Sequence, residues 1–135
     1  MRTTAAVLVA LLLTACAGSK EMVVDLYGSV IYEKPQIVEV SHSLDDRREQ
    51  GGAAVVEVAI QGDPGLAASF DIYPGVVARH PMEEGEPGIY RGSFEFPLDE
   101  AAGTFTITGR LQHAEAGEVI LRDPVPLILG RVDLR

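Results

Sequence analysis

Apolar and polar residues alternate with a period of two along most of this chain, the signature of strands with one dry and one wet face. Val38, Val40 and His42 alternate with Ile37, Glu39 and Ser41, and Val56, Val58 and Ile60 lie opposite Glu57 and Ala59. Phe70 and Ile72 continue the inward set, flanked by Asp71 and Tyr73. Tyr90, Gly92, Phe94 and Phe96 face away from Arg91, Ser93 and Glu95. The clearest strand sets Phe105, Ile107, Gly109 and Leu111 against Thr104, Thr106, Thr108 and Arg110.

Breaks between these runs fall where turn chemistry is strongest. They are the charged loop Asp45 to Gly52, the turn Gly62-Asp63-Pro64-Gly65, Pro74-Gly75, and the acidic loop Glu83 to Gly88. A short run covers Val76 to His80, with His80-Pro81-Met82 read as a loop, and a further strand is expected within Val23 to Tyr32. The last strand runs from Glu118 to Leu129. Pro124 and Pro126 remove two N–H groups on one side of it, so it forms an edge or a bend. The pattern predicts an all-β fold, an immunoglobulin-like two-sheet antiparallel β-sandwich of about seven strands, with a small closed barrel as the alternative.

The N-terminus follows a different rule. Arg2 precedes the apolar run Ala5 to Leu13, which as a helix would cover roughly 14 Å, about half a hydrocarbon core. That is too short to span a membrane and reads as a signal-peptide core. It ends in Leu13-Thr14-Ala15-Cys16, which resembles the lipobox of bacterial lipoproteins. The resemblance implies cleavage before Cys16, acyl chains on that cysteine, and attachment to a membrane by them. Each buried methylene contributes about 0.8 kcal/mol, so two or three chains anchor essentially permanently. Ala17 follows, where an Asp would resemble the enterobacterial inner-membrane retention signal, so the expected address is the periplasmic face of the outer membrane. The chain thus divides into a signal peptide (1–15), a lipidated tether (16–22) and a sandwich domain (23–135).

Composition then narrows the function. Removing the first 15 of 135 residues leaves 120, enough for one domain with a real core. Cys16 is the only cysteine, and lipid consumes it, which excludes disulfides, thiol nucleophiles and thiolate metal sites. With 11 basic against 20 acidic residues the net charge is −9, which repels phosphate backbones and argues against nucleic-acid binding.

Phe70-Asp71-Ile72-Tyr73, His80-Pro81-Met82, Glu86-Pro87-Gly88-Ile89-Tyr90-Arg91-Gly92-Ser93-Phe94 and Gly103-Thr104-Phe105-Thr106 resemble the YtkA-like and FixH-like periplasmic domains. The resemblance spans residues 69 to 111 and implies an immunoglobulin-like sandwich, in some members tied to copper handling or oxidase assembly.

Candidate chemistry is sparse. His80 and Met82 carry the one metal hypothesis, with His42 and His113 able to approach from strand ends, because imidazole and thioether suit copper. The carboxylates Asp45-Asp46 and Glu83-Glu84-Glu86 match no calcium-loop spacing and read as solvated charge. A hydrolase would need Ser93, His80 and Asp71 to converge, and no nucleophile elbow is visible. Tryptophan is absent, and Phe70, Tyr90, Phe94, Phe96 and Phe105 all fall on inward positions, so the aromatics are spent on a core. The expectation is a non-catalytic lipoprotein without cofactor that serves as an interaction or assembly module. Its partner would be another envelope protein, met through loops or an open strand edge, with Ile37 and Val55 as exposed edge contacts. The alternative is a copper-binding accessory protein using His80 and Met82.

Overall fold

The computed structural model describes residues 22–24, 30–96 and 102–132. The segment 1–15 and Cys16 lie outside the described residues. Strands are β1 (Met22–Val24), β2 (Val30–Tyr32), β3 (Ile37–Asp46), β4 (Ala54–Gly62), β5 (Ala67–Tyr73), β6 (Val77–Glu84), β7 (Ile89–Phe96), β8 (Gly103–His113), β9 (Gly117–Arg122) and β10 (Leu127–Leu129). A single 3₁₀ turn, Arg48–Gln50, is the one helical element among the described residues.

All pairings are antiparallel. One sheet runs β3-β4-β7, and the other runs β6-β5-β8, with β9 and β10 both on the far side of β8. Counted from β3 as the first strand, the first, second and fifth share one sheet and the third, sixth and seventh the other, the connectivity of an immunoglobulin-like sandwich. The fourth strand, β6, belongs to both. It pairs with β5 as far as Met82 and with β7 at Glu83 and Glu84, stitching the sheets together along one side. On the opposite side β3 and β9 are not hydrogen-bonded to each other, so the structure is a sandwich with one seam rather than a closed barrel. The expected strand near Val23 to Tyr32 is a pair of short ones, β1 and β2, forming a hairpin of its own.

From Val56 to Leu111 the period-two reading places the core correctly. Val40, Val56, Val58, Ile60, Phe70, Ile72, Tyr90, Phe96, Ile107 and Leu111 are buried, Phe94 and Phe105 pack against them half-buried, and the structure adds Leu127 and Leu129. Gly109 sits in this layer for a steric reason. A Cβ there would lie 2.8 Å from Ile60 Cδ1 and 2.9 Å from Val40 Cγ2, so its bareness lets the two sheets close. Tyr90 fixes the β4–β5 turn: its hydroxyl donates to the Asp63 carbonyl at 2.6 Å and accepts from the Leu66 N–H at 3.1 Å. Its burial pushes the phenol pKa up.

Three expectations need correction. A bulge between Ile37 and Glu39 adds a residue to β3, so Ile37 turns in to the core and Val38 turns out, 72% exposed. Strict alternation, which gave the reverse, fails at an inserted residue. Val55 is half-buried on β4, a central strand, and is no edge contact. His80-Pro81-Met82 belongs to β6 rather than to a loop. Proline is tolerated there because β6 is unpaired on its β7 side until Glu83.

Candidate functional site

The open side of the sandwich is where unused bonding capacity collects. β9 returns from the β8–β9 turn, in which His113 Nδ1 accepts the N–H groups of Glu115 and Ala116, both at 3.0 Å. Its register on β8 runs from His113 opposite Gly117 to Thr108 opposite Arg122, and the Asp123 N–H then donates to the Ile107 carbonyl at 2.8 Å. Antiparallel ladders bond at every second residue. Asp123, Leu121, Val119 and Gly117 therefore bond towards β8, and Glu118, Ile120 and Arg122 direct their N–H and C=O groups away from it. No further strand takes up those groups among the described residues.

Between Glu118 and Arg122 the side chains of this edge are apolar. Ile120 is 47% exposed, and Leu121, Val125 and Ile128 are exposed as well. The edge ends in a bulge. Continuing the β9 register would set Phe105 opposite residue 125, yet Leu127 stands there, so two extra residues are accommodated within Asp123 to Pro126. Pro124 and Pro126 have no N–H to offer the ladder, as their spacing foretold.

Two buried polar groups hold the bulged strand to β3 across the seam. Asp123, 4% exposed, accepts the Val125 N–H at 2.9 Å through one oxygen. Its other oxygen accepts from His42 Nδ1 at 2.5 Å. A carboxylate oxygen accepts only, so Nδ1 carries the hydrogen. Further along, Arg48 is 3% exposed and donates from Nη2 to the Gly130 carbonyl at 2.9 Å and to Asp46 Oδ2 at 2.7 Å, with Nε on Asp46 Oδ1 at 2.8 Å. The Arg48 hydrogen bond holds the Asp46 carboxyl below its usual range, and the same bond raises the guanidinium.

On the outer face beside β9, Arg110 donates through Nε and Nη2 to Asp71 Oδ2 at 3.0 and 2.9 Å. Glu118 reaches Arg110 Nη1 at 3.4 Å and Arg79 Nη1 at 3.9 Å. A shallow cleft of about 620 Å³ adjoins this network, lined by Tyr73, Val77 and Thr108 among others.

The residues proposed from sequence for metal binding are placed as follows. His80 and Met82 share the inner face of β6. The His80 ring lies 5.1 Å from Phe70 and 5.9 Å from Phe94, as one member of an aromatic row that continues to Phe96 and Phe105. Met82 is core, 9% exposed, and its Cγ would stand 3.0 Å from a Cβ on Gly92. His42 is committed to Asp123 and His113 to its own turn. No group of three or more His, Cys, Asp or Glu residues is gathered as a metal site among the described residues. His80 and Ser93 line one cleft of about 500 Å³, while Asp71 lines another and is bound to Arg110. Among the described residues no helix is long and apolar enough to cross a membrane.

Sequence reasoning missed Asp123 and Arg48, both inside stretches it read as edge or charged loop. A signal for the first existed: Asp followed by Pro favours a side-chain turn. No family model, curated protein or solved structure matches this chain.

Proposed function

We propose that this chain is the precursor of a lipid-anchored cell-envelope lipoprotein facing the periplasm from the outer membrane. Its sandwich acts as a non-catalytic interaction module through the open edge of β9. The observation that carries the interaction reading is the row of outward backbone groups at Glu118, Ile120 and Arg122 beneath exposed Ile120 and Leu121. A strand from a partner satisfies those groups by adding to the sheet, the physics of β-augmentation. The anchoring reading is supported by the order Arg2, apolar run, Leu13-Thr14-Ala15-Cys16, and by Cys16 being the only cysteine.

Two experiments test the parts separately. Metabolic labelling with an alkyne fatty acid labels the wild type and leaves Cys16→Ser unlabelled; an unlabelled wild type sinks the anchor. A photo-crosslinking residue at position 120, in intact cells, yields adducts that the same residue at position 38 on β3 does not. No adduct from position 120 sinks the interaction reading.

The copper-binding alternative has less behind it, because Met82 is packed over Gly92 in the core and the His80 ring meets Phe70 and Phe94 edge-on. Equimolar copper uptake abolished by His80→Ala would restore it.

A further inference from the structure

We infer that the strand β9 receives is β9 of a second copy, paired antiparallel about a two-fold axis through Ile120. This rests on the interaction reading above and names its partner. The argument begins with the sequence of the strand, Gly117-Glu118-Val119-Ile120-Leu121-Arg122. Opposite charges stand at equal distances either side of Ile120, and only apolar residues lie between them.

Turned about Ile120, the strand meets itself with Ile120 against Ile120 and Glu118 against Arg122. All of these are outward-bonding positions, so each free N–H of one copy faces a free C=O of the other. Moving the axis keeps some backbone bonds and loses the side chains. On Val119 it sets Glu118 against Ile120, and on Leu121 it sets Arg122 against Ile120. On Glu118 or Arg122 it stacks like charges, which directly opposed pairs resist. The Ile120 axis alone pairs both charges and both apolar faces, since Val119 then lies opposite Leu121, which is 38% exposed in the single chain.

The charges are available for this use. Arg122 is exposed and has no ion-pair partner among the described residues. Among the described residues, Glu118 pairs with cations only through the long contacts to Arg110 and Arg79, at 3.4 and 3.9 Å. The pairing is also finite. The turn before Gly117 closes one end and the bulge with Pro124 and Pro126 closes the other, so the contact is isologous and stops at two copies.

The test is the molar mass of the intact lipoprotein, purified from membranes in detergent, by sedimentation equilibrium. The wild type sediments as a dimer. Arg122→Glu halves the mass, as does Ile120→Lys, while thermal unfolding confirms that both variants are folded. The exchange Glu118→Arg with Arg122→Glu restores the dimer, because the opposed pair is rebuilt with its signs reversed. A monomeric wild type overturns the proposal, and so does a dimer indifferent to Arg122→Glu and Ile120→Lys. A double variant that stays monomeric overturns the assigned register. If the wild type is monomeric but position 120 still crosslinks a different protein, self-pairing falls and the interaction reading stands; if it crosslinks nothing, both fall.

Discussion

Among the described residues, β3 and β9 are open edges on the same side of the sandwich, and they are built to opposite specifications. β3 carries Glu39, Ser41, Ser43 and Asp45 exposed along its length, and a bulge at Ile37 and Glu39 twists its start. Pairing β3 with itself about His42 would set Glu39 against Asp45, two like charges directly opposed. Those are the usual defences of an edge that must stay unpaired. β9 has neither acidic crowding nor a bulge within its span, and its charges are arranged to attract their own copy. The difference teaches that an edge is read from what it would meet if paired with itself, rather than from its hydrophobicity alone. Val38 on β3 is more exposed than any apolar residue of β9, at 72%, yet its neighbours forbid the match.

The comparison breaks most severely at the tie between the two edges. Asp123→Ala strips His42 of its buried partner and frees the Val125 N–H, and should cost about 3 kcal/mol in urea denaturation. Because the same side chain sets the bulge that ends β9, the variant should also lose its defined dimer. Asp45→Ala, in an exposed ion pair with Arg47 on the other edge, should change stability by less than about 0.5 kcal/mol. Equal losses from the two substitutions would show that the seam is not held where the structure holds it.

Arg48→Met comes next, at about 2 kcal/mol, since it removes the guanidinium donors from the Gly130 carbonyl and from Asp46, which keeps only the backbone N–H of residue 48. It carries a pH signature. Asp46 has a folded pKa below its unfolded one, so its contribution is complete above the ordinary carboxylate range and is lost as pH falls through the folded value. Wild-type stability should therefore drop in acid by more than that of Arg48→Met. Parallel curves for the two proteins would remove Arg48 as the cause.

How far the sequence foretold these edges follows from its periodicity. Alternation placed the core from Val56 to Leu111, and the spacing of Pro124 and Pro126 marked the bend, because both depend on neighbours two residues apart. It failed at Ile37 and Val38, where one inserted residue shifts the phase and only the partner strand reveals it. It also failed at Asp123 and Arg48. Charged residues read as exposed unless a mate is known: the mate of Asp123 lies 81 positions away at His42, and although Arg48 has Asp46 two positions off, the Gly130 carbonyl it reaches lies 82 positions away. Pro81 makes His80 to Met82 read as a loop in the sequence, where the structure has the strand β6. The symmetry of β9 is present in the sequence, but it acquires meaning only once the backbone register shows which groups point outward.

The smallest effect sharpens the contrast most. Asp45→Lys removes the like-charge clash from β3, since Glu39 of one copy would then face a lysine of the other. Folding stability should move by less than about 0.5 kcal/mol, as for other exposed sites without buried partners. If charge alone guarded β3, the variant would gain a second adhesive edge, and dimers joined through β9 would chain into larger species. The bulge argues for the opposite result. It displaces Val38 and Glu39 from the regular ladder, so a partner strand centred on His42 would lose its register as it reached Glu39, whichever charge stood at position 45. The expected sedimentation profile is therefore that of the wild type, and higher assemblies would assign the defence of β3 to its carboxylates instead.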